Sequence, residues 1–133
     1  MTHSGTCLCG GVHITTEAEP VAQLHCQCLH CRQRSGTGHA SHMVFTGPVA
    51  ITGETRAYTL TVDSVAEKQH HFCPTCGTPT HVTFPARPAL TAVSPGMLDA
   101  AEAFAPGFVT YHIRALDWDT LDGALQIFDR LPG

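Results

Sequence analysis

The sequence predicts an all-β fold, arranged as an antiparallel sandwich or half-barrel. Short runs rich in Val, Thr, Ile and aromatic residues recur along its 133 residues, as strands require. Gly- or Pro-bearing breaks separate many of these runs, and no window of about 15 residues holds a helical period. At 14.2 kDa the chain is near the commonest domain size, so residues 1–133 are expected to form a single domain.

Taken in order, strands are expected at residues 12–17, 21–24 and 39–45, the last entered through Gly36-Thr37-Gly38. Gly47-Pro48 then separates it from a strand at 49–52, and further runs lie at 57–62, 66–72 and 80–84. The break Pro85-Ala86-Arg87-Pro88 precedes a strand at 89–94, closed by Pro95-Gly96. Pro106-Gly107 introduces the last, at 108–115. Helical signal is confined to residues 29–35, long enough for two turns, and to the Ala-rich piece 97–104.

Apolar residues make up 43% and charged residues 14%, which excludes a disordered or coiled-coil chain, both of which are charge-rich. A net charge of −4 with no basic run argues against capture of nucleic acid or of an anionic membrane surface. Residues 1–11 carry no Lys or Arg and no apolar segment, so no signal peptide is expected. The charge-free stretches 35–53 and 69–86 are interrupted by Gly, Pro, His and Cys and do not read as membrane spans. A cytoplasmic protein is expected, and there thiols stay reduced and serve as metal ligands more readily than as disulfides.

Seven cysteines and ten histidines are the unusual counts. The cysteines fall into three groups: Cys7-Leu8-Cys9-Gly10, Cys26-Gln27-Cys28-Leu29-His30-Cys31, and Cys73-Pro74-Thr75-Cys76-Gly77. A Cys-x-x-Cys-Gly turn converges two sulfurs on one ion, the Gly allowing the tight return of the chain, and must borrow two ligands from elsewhere. The middle group can place three sulfurs around a single ion from one loop. If it does, Cys7 and Cys9 are left to complete a site with Cys73 and Cys76. A closed four-Cys site reads as structural, and a three-ligand site as one with an open position for chemistry. Other readings stay open: a redox Cys-x-x-Cys, an iron–sulfur cluster of unusual spacing, or a second structural site with His25 or His30 as fourth ligand.

Three ordered motifs carry a family resemblance. Cys7-Leu8-Cys9-Gly10-Gly11-Val12, then Cys26-x-Cys28-x-x-Cys31-Arg32-x-x-Ser35-Gly36, then Phe72-Cys73-Pro74-Thr75-Cys76-Gly77 resemble the glutathione-dependent formaldehyde-activating enzyme (GFA) family, whose domain is also that of centromere protein V. Tyr111-His112-Ile113, Asp117-Trp118 and Leu121-Asp122-Gly123 extend the resemblance from Gly5 to Gly123. It implies a zinc-binding β-sandwich of the β-tent type with a zinc-ribbon-like four-Cys site. It also implies two zinc ions per chain, a structural one on Cys7, Cys9, Cys73 and Cys76 and a catalytic one on Cys26, Cys28 and Cys31. The implied activity is that of a carbon–sulfur lyase, condensing formaldehyde or a related aldehyde with a thiol such as glutathione. The competing expectation is a zinc-stabilised binding module of the same fold without catalysis. One position departs from the family: Gln27 stands where a His is usual, and His25 cannot simply replace it, because neighbouring side chains of an extended segment face opposite ways.

Secondary candidates follow from position. Arg32 can hold a substrate carboxylate or make a structural ion pair. His30, His39 and His42 are placed in the same region as the middle cysteines, and His70 and His71 are placed to donate to the Cys73 turn. Trp118, Tyr111 and Phe108 are expected as core anchors.

Overall fold

The structure, a computed structural model, describes residues 2–61 and 66–132. In chain order the strands are β1 (His3–Thr6), β2 (His13–Thr16), β3 (Ala22–Cys26), β4 (Ala40–Phe45), β5 (Ala50–Thr52), β6 (Arg56–Thr61), β7 (Glu67–Phe72), β8 (Pro79–Thr83), β9 (Thr91–Val93), β10 (Phe108–Thr110) and β11 (Gln126–Ile127). Helix α1 (Leu29–Ser35) links β3 to β4, and short 3-10 turns lie at Pro95–Met97, Ala101–Ala103 and His112–Arg114. The chain is therefore mostly β with one α-helix among the described residues, as expected. No helix among them is long and apolar enough to cross a membrane.

Two sheets form. The smaller has the order β1-β2-β5 and the larger the order β11-β10-β3-β4-β9-β8-β7-β6. All neighbours pair antiparallel except β10, which runs parallel to both β3 and β11.

Register decides which side chains share a face, because residues directly opposite one another project to the same side. Met43 pairs with Val93 and Val93 with His81, while Val44 pairs with Ala92 and Ala92 with Val82. The face holding Met43, Phe45 and Val93 packs against Val12 and Ile14 of the smaller sheet, with Cys7, Cys73, Met97 and Leu98 completing that core. The opposite face presents Leu24 and Cys26 of β3 with their partners His42 and Ala40 of β4. Cys26, Cys28, Cys31 and Ala40 form a second buried cluster there, with Leu24 and Tyr111 packed on it. Gly5 permits the close approach of β1 to the segment after the first 3-10 turn, since a Cβ there would strike the backbone of Met97.

Most expected strands shift only at their ends. Val62, in the expected strand 57–62, lies outside the described residues. The expected strand 108–115 stops at Thr110. Tyr111 takes a left-handed conformation, φ 54, and the amides of Tyr111, His112 and Ile113 donate to the carbonyls of Arg130, Phe128 and Asp129. The expected helical piece 97–104 is two separate 3-10 turns, because Leu98 is extended and bridges to Gly5. Strands β1 and β11 carry no alternating apolar pattern and were not expected. Trp118 is no core anchor: it is 65% exposed.

Candidate metal centres

Each cysteine group sits where local structure forces its sulfurs together. After β1 the chain turns so that Gly10 N–H donates to Cys7 O at 3.0 Å, with Gly10 at φ 82. After β7 a turn one residue longer also ends on glycine: Gly77 N–H donates to Cys73 O at 2.8 Å, with Gly77 at φ 78. Only glycine takes such angles without strain, which is why each cysteine turn ends on one. The two turns are tied by Leu8 N–H donating to Thr78 Oγ1 at 3.1 Å.

Four ligand sulfurs, from Cys7, Cys9, Cys73 and Cys76, lie within 4.8 Å of one another. The Cys7–Cys9 and Cys9–Cys73 sulfur separations are 3.6 and 3.7 Å. A tetrahedron of thiolates at the zinc–sulfur distance of about 2.3 Å has edges of about 3.8 Å, so the spacing suits that ion. Val12 N–H points at Cys7 Sγ from 3.2 Å, a donor suited to a thiolate.

The second cluster is built by a change of secondary structure. Cys26 ends β3, Cys28 is the N-cap of α1, and Cys31 lies in the first turn. Extended backbone at 26–28 turns Cys26 and Cys28 to one side, and the helix brings Cys31 beneath them. Cys31 N–H donates to Cys28 Sγ at 3.3 Å, so the thiol caps the helix as a Ser would. The three sulfurs lie within 4.8 Å of one another, and all three residues are buried. Bonds from Cys26 and Cys31 pull Cys28 well below the ordinary thiol range, while the Cys26 and Cys28 sulfurs push Cys31 far above it. Without a cation, only part of this cluster ionises; a bound cation permits all of it.

The three cysteines line a cavity of about 300 Å³ with Leu24, Val44, Val82 and Phe84 among its walls. His42 also lines it, with Nε2 3.6 Å from Cys31 Sγ; burial, with Arg34 and Lys68 adding, pushes this imidazole down to about 3, leaving it neutral at pH 7. Thr110, opposite Cys26 in the register, has a buried hydroxyl that interacts with the Cys26 thiol and favours its ionised form.

Gln27 points the other way. Its Nε2 donates to Asp119 Oδ2 at 3.0 Å, and its Oε1 accepts from His112 Nδ1 at 3.0 Å. His39 Nδ1 donates to the same carboxylate at 2.8 Å, and the edge of His25 meets His39 with ring centroids 4.6 Å apart. Burial opposes ionisation of Asp119, but the bonds from Gln27 and His39 outweigh it and hold its pKa below the ordinary value.

Several expectations are thereby sorted. His42 and His30 line the three-cysteine cavity, whereas His39 lies with Asp119 behind the cysteine loop. Neither His25 nor His30 joins the three sulfurs as a fourth ligand; His25 Nδ1 instead bonds Ser41 Oγ at 2.8 Å. Arg32 is not among the residues lining that cavity, and Lys68 and Arg114, which sequence reasoning passed over, are. No local motif marks these two, since only the sheet order brings β7 and the turn after β10 to the cysteines. His71 bonds Thr83 Oγ1 at 2.8 Å and stacks on His81 rather than donating to the Cys73 turn, and His70 Nε2 is buried without a hydrogen-bond partner among the described residues.

Fold and clusters together define a class: a β protein with two cysteine clusters, one of four and one of three, both able to hold a metal ion such as zinc. A family model described as glutathione-dependent formaldehyde-activating enzyme matches residues 2–114, and the chain belongs to that family. Among solved structures it is similar to the crystal structure of a Rhodobacter sphaeroides protein, with 26% identity and a TM-score of 0.56 over 73% of this chain and 88% of that one. No curated protein matches this chain.

Proposed function

We propose that the protein is a zinc-dependent enzyme of the carbon–sulfur lyase type that joins an aldehyde, formaldehyde or a relative, to a thiol such as glutathione at Cys26, Cys28 and Cys31. The observation that carries this reading is the asymmetry of the clusters. Cys7, Cys9, Cys73 and Cys76 already supply a full tetrahedral set, as a structural zinc needs, whereas the three-cysteine set lacks one ligand and opens on a cavity. The family's description supplies the aldehyde and the thiol. Two zinc ions per chain, one domain over residues 1–133, a β-tent arrangement and a cytoplasmic location complete the reading.

Zinc bound at the three cysteines would hold a thiol as its thiolate or polarise an aldehyde oxygen. The chain's own residues do the rest. Apolar walls exclude water from the reacting atoms, and neutral His42 can donate an N–H toward the sulfurs, orienting Cys31. The Thr110 hydroxyl, which lines the cavity beside Cys26, can offer a hydrogen bond to the substrate oxygen. The addition balances without a co-reactant: the thiol sulfur forms the new bond to carbon, the carbonyl π-bond breaks, and the thiol proton ends on that oxygen. Three thiolates leave the ion a weak Lewis acid, so positioning supplies most of the rate.

An NMR assay of adduct formation from formaldehyde and each of several thiols, glutathione and a mercaptoalkanoate among them, comparing zinc-loaded with chelator-stripped protein, tests this. A faster rate with the loaded protein is expected. Equal rates, together with two zinc ions that resist removal equally, would establish a non-catalytic binding module instead.

A further inference from the structure

The three-cysteine cavity is chemically one-sided. Leu24, Val44, Val82, Phe84 and Leu131 give it hydrocarbon walls, and at about 300 Å³ it is at the small end of ligand pockets. Its permanent cations are Lys68 and Arg114; no Asp or Glu lines it among the described residues. Arg114 and Leu131 are exposed and mark the mouth. Lys68 is half-buried, and its charge reaches Cys28, whose thiol it helps to lower. Neither Lys68 nor Arg114 makes an ion pair with another described residue.

Glutathione is a poor match for this surface. Its two carboxylates could use the two cations, but its ammonium finds no carboxylate there and would share a small cavity with Lys68 and Arg114. Its two peptide groups would lose water against the Leu, Val and Phe side chains, with only the polar groups of His30, His42, Thr110 and Tyr111 to replace it, which costs affinity. A thiol with an alkyl chain and one carboxylate meets every feature: sulfur for the metal position, hydrocarbon for the walls, one anion for the cations.

We propose that this cavity selects an apolar thiol carrying a single carboxylate, of the mercaptoalkanoate class, over glutathione. The inference rests on the reading of Cys26, Cys28 and Cys31 as the thiol-binding metal centre. Lys68 and Arg114 are then the residues that set specificity, and Val82 and Phe84 form the wall that rejects polar thiols.

Isothermal titration of the zinc-loaded protein with ω-mercaptohexanoate, hexanoate and reduced glutathione tests it. Mercaptohexanoate should bind at least about tenfold more tightly than glutathione, and the Lys68→Ala, Arg114→Ala double variant should lose about tenfold for mercaptohexanoate at unchanged metal content. Hexanoate, lacking sulfur, should bind more weakly than mercaptohexanoate but show the same dependence on the two cations. The comparison of ligands on the unaltered protein stands even where the double variant folds poorly. Glutathione binding as tightly as mercaptohexanoate overturns the inference. The thiol-site reading is checked separately by the sulfur-to-metal absorption of cobalt-loaded protein. If glutathione perturbs that band and outcompetes mercaptohexanoate, only the selectivity is refuted; if neither thiol perturbs it, the thiol site and the inference built on it both fall.

Discussion

Gln27→Leu should destabilise the protein and spare the chemistry at the three cysteines. The wild-type side chain is 1% exposed and makes two hydrogen bonds, one to the Asp119 carboxylate and one with His112. A bond to a charged group contributes about 1.5–3 kcal/mol and a neutral one about 0.5–1.5 kcal/mol, so their joint loss costs about 2–4 kcal/mol. His39 still bonds Asp119 at 2.8 Å in the variant, which keeps the expected loss toward the lower end. Leucine is close to glutamine in volume, so no cavity is added. Urea denaturation of zinc-loaded wild type and variant, with metal content and adduct formation measured on the same samples, reads both effects. A loss of about 2–3 kcal/mol with activity within about twofold is expected. A stability change below about 0.5 kcal/mol, or a tenfold fall in kcat/KM at full metal content, would refute the geometry that turns Gln27 away from the sulfurs.

Other perturbations separate the two clusters and probe the core. Cys28→Ser should lower the zinc content by one ion and abolish activity in a protein that still folds, whereas Cys73→Ser should lower it by the other ion and unfold the chain at room temperature; elemental analysis with circular dichroism distinguishes them. His81 is buried, and burial, with His71 and Arg34 nearby, pushes its pKa down to about 3. Its folded value is below the ordinary value of about 6.5, so the stability it contributes is complete above that pH and is lost as pH falls toward the folded value. The stability gap between wild type and His81→Gln should therefore narrow by about 2 kcal/mol between pH 6.5 and 5 in urea titrations, and a constant gap would show that the ring is not held neutral. Phe45→Ala, at a fully buried position between the sheets, should cost about 3–5 kcal/mol by the same method, and a cost under about 1 kcal/mol would contradict the packing described.

The legible part of the site was the part with a local cause. Cys28 and Cys31 are joined by one helical turn, and Cys73 and Cys76 by a turn ending on Gly77, so spacing alone brings each pair of sulfurs together. Helix α1 was legible to its last residue for the same reason, since Gly36 at φ 77 closes it. Sequence position puts His30, His39 and His42 in one region, yet only His30 and His42 line the cavity, while His39 bonds Asp119. Alternation along one extended segment already sends residues 39 and 42 to opposite sides. Which of them shares the face of Cys26 is decided by the register that pairs Cys26 with Ala40, a property of two strands and not of either one.

The sequence by itself determined the class: a β-rich chain whose seven cysteines are spaced so that they can serve as metal ligands, because strand propensity, glycine turns and ligand spacing are local properties. Family membership was legible in the same three motifs. The tertiary structure brings the cysteines together in the four-and-three division that the resemblance implies, and it alone decided which way Gln27 faces and what surrounds the three sulfurs. Cys7 and Cys73 are separated by most of two sheets along the chain, and Lys68, Arg114 and Asp119 reach the cysteine loop only through the strand order β10-β3-β4-β9-β8-β7. Those contacts are non-local, joining strands that are far apart along the chain, and no short stretch of sequence encodes them.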